Sequence, residues 1–272
     1  MSENNRTTKL VFFGISDMGL KRTNNEDRFV VADLTRKMLG VEDNRVISRM
    51  VYHEIGLRGT LLAVADGLGG HEAGEVASQM AIDTVTKTLF EADNPEFSPT
   101  QQLVIAIKTA HRDICLRQEE QPRTRGMSST LTAMHVGCDK ITVAQVGDSR
   151  AYCYTSGKLK RLTEDQTMIN LLQKKGMLTD EEAKIHPDRN VVLQAMGQNK
   201  KVQPDVRSFR FRGGDCVLLC SDGLTSFVSD KEIEAILSDE KQENTRCQRL
   251  VDAANTAGGG DNVTVLIARL LC

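Results

Sequence analysis

Five places in the chain set a carboxylate at the edge of an apolar run, beside glycine or asparagine. "TLLAVADG" stops at Asp66, "ITVAQVGDS" at Asp148 and "CVLLCSDG" at Asp222. "GGGDN" sets Asp261 just before "NVTVLIARL", and "KRTNNEDRF" sets Glu26 and Asp27 just ahead of another apolar run. Taken singly, each reads first as turn chemistry, since Asp bonds its own backbone and Gly tolerates positive φ. Repeated hairpins can produce the same pattern. The set also fits a second chemistry. Carboxylates, a backbone carbonyl and water are the ligands of hard divalent cations such as Mg²⁺ and Mn²⁺. Ligands on the ends of stiff strands are held more accurately than ligands on loops. Acids brought together repel unless cations neutralise them. Two metals about 3.5–4 Å apart can share one carboxylate and hold a hydroxide between them. Glycine beside the acid lets the backbone approach an ion and offer its carbonyl. Spacing alone does not show that the five sites converge.

Other chemistries fit less well. Ser149 in "GDSR" has no His and acid at triad spacing, and its hydroxyl is expected to orient Asp148. "GLGGHEAG" fails as a dinucleotide fingerprint, because Glu72 stands where the last Gly belongs. Cys153, Cys216 and Cys220 fall inside apolar runs and are expected in the core. Lys174 and Lys175 are expected on a solvated face.

The elements that must carry the acids are mostly short, β-branched runs bounded by Gly, Asp or Asn. Strands are predicted over 10–17, 28–34, 60–66, 129–136, 141–148, 150–156, 216–222 and 262–270. Helices are predicted over 75–90 and 100–120, where apolar residues recur at helical steps, with Ser98 or Thr100 as the second helix's cap. Two further helices are predicted near 230–238 and 244–257, the last stopping at Gly258. Strands come in runs with two helices between, which predicts an α+β fold with antiparallel sheets rather than alternating βαβ units. The polar region 163–200 carries helical hints and suits a flap. The stretch 34–59 is too long and polar for a minimal hairpin and reads as a surface excursion.

Composition bounds the rest. At 272 residues with no long linker or repeat, one domain spanning 1–272 is the simplest reading. A net charge of −2 favours neither nucleic acid nor a membrane surface. The seven cysteines contain no CxxC pair, which predicts reduced, buried thiols and no zinc site. No apolar run approaches the ~18 residues of a membrane helix, and "MSENNRTTKL" has no signal-peptide core. A cytoplasmic location is expected.

The chain resembles the metal-dependent serine/threonine protein phosphatases of the PPM, or type 2C, family in their compact bacterial form. The blocks that carry the likeness run in family order across nearly the whole length: "SDMGLKRTNNEDRF" (16–29), "AVADGLGGHEAGE" (63–75), "GMSSTLTA" (126–133), "AQVGDSRAY" (144–152), "LTEDQT" (162–167), "LLCSDGL" (218–224) and "GGGDNVTVL" (258–266). The resemblance implies a four-layer α-β-β-α sandwich, two antiparallel sheets flanked by helices. It implies two core Mn²⁺ or Mg²⁺ ions and a third, weaker one. Asp66 then bridges the pair, and Gly67 lends a carbonyl. Asp222 and Asp261 complete the first metal's set, Glu26 and Asp27 serve the second, and Asp148 with Asp222 serves the third. Arg22 matches the arginine that grips substrate phosphate. The implied reaction is direct hydrolysis of phosphoserine or phosphothreonine by a metal-bridging hydroxide. His71 is the candidate proton donor to the leaving alkoxide, with an orienting role as the alternative, since Leu68 stands where eukaryotic members carry a His after Asp-Gly. Segment 163–200 aligns with the family's flap. Expected partners are phosphorylated proteins, a Ser/Thr kinase or its substrates, with no nucleic acid or membrane partner and a monomeric chain. A non-catalytic phosphoprotein-binding module should have lost acids that are all present here. A nucleotide hydrolase should have base-stacking aromatics, and this chain has no Trp and three Tyr.

Overall fold

A computed structural model describes residues 8–42, 51–69, 73–92, 96–239 and 241–271. The first part of the chain runs β1 (Lys9–Asp17), β2 (Asp27–Asp33), β3 (Met38–Glu42), β4 (Val51–Glu54), β5 (Thr60–Leu68), α1 (Ala73–Glu91) and α2 (Pro99–Glu120). The middle holds β6 (Ser128–Ser129), β7 (Leu131–Val136), β8 (Lys140–Val146), β9 (Arg150–Thr155), β10 (Lys158–Arg161), α3 (Met168–Lys174) and α4 (Asp180–Ile185). The last part holds β11 (Asp205–Arg210), β12 (Cys216–Cys220), α5 (Asp222–Thr225), α6 (Asp230–Ser238), α7 (Glu243–Thr256) and β13 (Val263–Leu271). One sheet has the order β10-β9-β12-β13-β1-β4 and the other β11-β8-β7-β5-β2-β3, with β6 paired to the end of β5. The paired strands are antiparallel.

Period-2 alternation sorts each strand's residues between two cores. On β5, Leu61, Ala63 and Ala65 pack with Ala77, Ala81, Val85, Leu103 and Ile107 of α1 and α2. Leu62 and Val64 point the other way, into the layer between the sheets with Phe12, Ile15 and Val265. Because both faces are covered, β5 is buried from Thr60 through Ala65, so it reads as a continuous apolar run and not as alternation. Fully burying one such Leu or Val contributes about 1.5–3 kcal/mol, and truncating Leu62 to Ala is expected to cost about 2–5 kcal/mol. On the far side, Ile233, Leu237, Leu250 and Val251 of α6 and α7 join the core. The four layers are therefore α1/α2, sheet, sheet and α6/α7: an α+β fold as the strand order predicts, in the four-layer sandwich that the resemblance implies. Ser98 caps α2 through a complete capping box with Gln101, and Pro99 occupies its first turn.

Among the described residues, four strands escape the sequence reading. β4 and β10 alternate between half-buried and exposed residues, β11 mixes the two without regular alternation, and β3 lies at a sheet edge. Sheet edges tolerate polar sequence because backbone pairing, not apolar burial, holds them. The excursion 34–59 contains β3, paired to β2 of one sheet, and β4, paired to β1 of the other, so it crosses the sandwich. The strand predicted over 216–222 ends at Cys220, and Asp222 opens α5 instead. Within 163–200, α3 buries none of its residues, and the segment is tied down by the bridges Thr167–Val192 and Ser129–Met196.

Candidate metal centre

Alternation decides where the acids point. Asp66 continues the Leu62–Val64 face of β5, and Asp27 begins the face of β2 that carries Phe29 and Val31. Register sets Asp27 directly opposite Asp66. Two carboxylates so paired repel, and both face the layer between the sheets. The opposing sheet answers with Ser221 at the end of β12 and Thr264 on β13. The Ser221 hydroxyl donates to Asp27 Oδ2 at 2.6 Å and accepts from the Thr264 amide at 2.9 Å. Asp222 follows Ser221 and comes within hydrogen-bond reach of Asp66. Asp148 lies in the turn between β8 and β9, and Asp261 just ahead of β13.

The electrostatics record this crowding. Desolvation is the first cause in every case. It pushes the Asp27 and Asp148 carboxyls up to about 7 and Asp222 up to about 6. Asp66 is held well above the usual carboxylate range by desolvation, then by Asp27, Asp222, Asp148 and Asp261. Glu26 is raised as well, by desolvation against the pull of Arg22. Asp27 is sealed at 1% exposure, whereas Asp66, Asp148, Asp222 and Asp261 keep an edge on solvent. The cluster therefore sits on the floor of an open end of the sandwich. Arg22 stands at its rim, half-exposed, donating from Nη2 to Asp261 Oδ2 at 2.8 Å.

Two glycines are fixed by close approach. A Cβ on Gly67 would lie 2.1 Å from the Gly74 carbonyl oxygen at the start of α1. A Cβ on Gly223 would lie 1.9 Å from the Asn262 carbonyl oxygen. The "ADG" and "SDG" signatures thus let α1 and the entry to β13 press against the acids.

Several polar residues that sequence reasoning missed hold this arrangement. Asn262 accepts from the Glu26 amide at 2.8 Å and donates to the carbonyls of Met18 and Asn24, pinning the 18–26 loop. The Asp66 amide donates to Thr130 Oγ1 at 3.1 Å. The Ser149 hydroxyl, expected on Asp148, bonds Thr130 Oγ1 at 2.8 Å instead and so steadies Asp66 through Thr130. The only sequence signal for Asn262 and Ser221 is adjacency to an acid, in "DN" and "SD". His71 lies outside the described residues.

The structure brings Asp27, Asp66 and Asp222 together from both sheets, with Asp148 and Asp261 near enough to perturb them. Among the described residues, no three of these side chains close on one point as ligands of a single ion. Like charges held apart are what repulsion dictates. The donor set is nonetheless all oxygen. Arg150, a cation that acts on Asp148 and Asp222, is already engaged through Nε and Nη2 by Asp165. Acids this short of positive charge hold protons until cations displace them, so the residues fit hard divalent metal.

Comparison with known proteins agrees. Residues 52–253 match the model of the Protein phosphatase 2C family. The chain is 36% identical over 213 residues to the serine/threonine phosphatase stp of Listeria monocytogenes, covering 76% of this chain and 83% of that protein. It is 36% identical over 263 residues to the serine/threonine protein phosphatase PstP of Mycobacterium tuberculosis, covering 96% of this chain and 45% of that longer protein. The solved structure of the PstP catalytic domain in complex with two manganese ions superposes with a TM-score of 0.79 at 33% identity, over 98% of this chain and all of that one.

Proposed function

Since this chain belongs to the protein phosphatase 2C family, we propose that its buried acids hold the metal of a phosphoprotein phosphatase and that Arg22 holds the substrate phosphate. The chain is a metal-dependent protein-serine/threonine phosphatase and acts on phosphorylated proteins. Asp66, Gly67, Asp222 and Asp261 are assigned to one Mn²⁺ or Mg²⁺, and Glu26 and Asp27, with Asp66 shared, to a second. Asp148 with Asp222 is assigned to a third. The observation that carries the reading is the meeting of Asp27, Asp66 and Asp222, from both sheets, with their carboxyls raised and Arg22 at the rim.

Bound there, Mn²⁺ or Mg²⁺ supplies a lowered water pKa and offsets charge on the phosphoryl oxygens. The protein's own groups do the rest. Ser221 and Thr264 fix the Asp27 carboxylate, and Thr130 fixes the strand end that carries Asp66. Arg22 uses one donor on Asp261, which leaves the planar fork able to bond two phosphate oxygens, a geometry Lys does not copy. Water attacks the phosphorus in line, with no phosphoenzyme. The nearby hydroxyls support this, because Ser149 and Ser221 are fully buried and hydrogen-bonded, out of reach of a phosphoprotein. His71 is assigned the proton for the leaving alkoxide, on its position in the "GLGGHEAGE" block. The flap at 163–200 borders the substrate cleft in this reading.

We extend the reading to one catalytic domain over 1–272, acting as a monomer on a Ser/Thr kinase or its substrates. A cytoplasmic location is supported by Cys153, Cys216, Cys220 and Cys247, which are buried and unpaired. No helix among the described residues is long and apolar enough to cross a membrane. The test is hydrolysis of p-nitrophenyl phosphate and a phosphothreonine peptide with Mn²⁺. Activity is expected to vanish in excess EDTA and in Asp222→Asn. Activity that persists in either, or a marked preference for nucleotides over phosphopeptides, contradicts the reading.

A further inference from the structure

Arg28 is a buried cation that no step above uses. It follows Asp27 on β2, so its side chain leaves the opposite face, toward α1 and the core that holds Val30 and Ala32. It is 6% exposed. There it engages four of its five donors: Nε to Gln79 Oε1 at 3.0 Å, Nη2 to Glu75 Oε1 at 2.6 Å, and Nη1 to the carbonyls of Asn25 at 2.9 Å and Asp27 at 2.7 Å. The two carbonyls flank Glu26, so one guanidinium nitrogen bridges the backbone across that residue. The remaining groups of the Glu26 peptide are held too. Its amide donates to Asn262, and its carbonyl accepts from Ser78 Oγ at 2.5 Å and from the Gly67 amide at 3.2 Å. Glu75 also accepts from Asn24 at 3.2 Å, closing the clamp on the near side of the loop.

We propose that Arg28 is the positioning residue of the metal centre, binding the 24–27 loop to α1 so that the Glu26 and Asp27 carboxylates reach the Asp66 strand end in fixed register. This rests on the assignment of those acids to metal. Arg28 leaves β2 on the face opposite Asp27, and its hydrogen bonds go to Gln79, Glu75 and the carbonyls of Asn25 and Asp27 rather than to the acids' side chains. It acts through backbone carbonyls, and its planar fork is what lets one side chain reach α1 and both carbonyls at once. Lys has one nitrogen and cannot span the four acceptors. The fit of the loop against α1 is close elsewhere as well: a Cβ on Gly74 would lie 2.5 Å from Glu26 Oε2.

The experiment is a calorimetric Mn²⁺ titration of the full chain, wild type against Arg28→Gln, Arg28→Lys and Glu75→Gln. It is paired with amide hydrogen exchange at Glu26 and Gly67 in the metal-free protein. Loss of groups that orient metal ligands typically weakens metal binding about 10–100-fold. Arg28→Gln is expected to weaken Mn²⁺ binding by that factor and to speed exchange at both amides. Its kcat should return to within about threefold of wild type at saturating Mn²⁺, the KM for a phosphothreonine peptide being unchanged. Arg28→Lys should fall between. If Arg28→Gln does not fold, Glu75→Gln removes one strut and should still weaken Mn²⁺ binding several-fold. Folded variants that bind Mn²⁺ within twofold of wild type, with unchanged exchange, overturn the proposal. Failure of the wild type to bind Mn²⁺ overturns the metal assignment itself, a separate result.

Discussion

Replacing Asp222 by Asn should make the metal-free protein more stable and the metal-loaded protein less so. In the fold Asp222 titrates at about 6 against an ordinary 3.8, because of desolvation and then Asp261. The native state therefore keeps its proton longer than the unfolded chain does. Stability from this group is present below pH 4 and falls as pH rises through 6, with the full loss felt at pH 7.5. At 1.36 kcal/mol per unit, and discounted for the solvent edge and shared charge, that loss is about 2 kcal/mol. Asn is neutral at both pH values and escapes it. For a chain of this size 1 kcal/mol moves Tm by about 2–4 °C, so in EDTA at pH 7.5 Asp222→Asn should melt about 5 °C above wild type. At pH 4.5 the gap should narrow to about a third of that. Mn²⁺ at 100 times its Kd should then raise the wild type by about 2.7 kcal/mol for each ion bound and the variant by less, since it keeps only the Glu26–Asp27–Asp66 set, reversing the order. Differential scanning calorimetry reads all of these. A variant that melts below wild type in EDTA at pH 7.5, or that gains as much from Mn²⁺, refutes the reasoning that this acid is held at a stability cost for the sake of a cation.

Ser221→Ala removes the 2.6 Å donor to buried Asp27; a stability loss of about 1–3 kcal/mol and a shift of Mn²⁺ binding to higher pH are expected, checked by melting and by titration at several pH values. Apparent Mn²⁺ affinity of the wild type should rise steeply between pH 5.5 and 7.5 and level off above, because Asp27 and Asp148 release protons near 7; a flat profile contradicts the raised carboxyls. Gly223→Ala sets a Cβ 1.9 Å from the Asn262 carbonyl oxygen and should cost about 1–3 kcal/mol or more, read by urea unfolding. Arg22→Ala should raise the KM for a phosphothreonine peptide at least tenfold, leaving Mn²⁺ binding within a few-fold, by steady-state kinetics beside calorimetry.

The acids were legible because each interrupts or borders an apolar run that burial alone would continue, as Asp66 does after "LLAVA". Their convergence was not, since it depends on the Asp27–Asp66 register and on the second sheet bringing Ser221 and Asp222 across the layer. The covered strands were readable as short apolar runs bounded by Gly, Asp or Asn, and the long helices from apolar residues recurring at helical steps. β10 and β11 were not, because "KLKR" and "DVRSFR" lie at the outer edges of their sheets and are specified by backbone pairing. The polar clamps were the least visible. Arg28, Asn262 and Thr130 act on main-chain groups, which leave no pattern in side-chain spacing, and Ser149 serves Thr130 although its neighbour is Asp148.

The most direct measurement is anomalous scattering from a crystal of the full chain grown with Mn²⁺. Two strong peaks are predicted at the open end of the sandwich, both within ligand distance of Asp66, one also bound by Asp222 and Asp261 and the other on the Glu26–Asp27 side. Mn²⁺ found away from Asp66, or absent from this cluster at saturating concentration, would contradict the account.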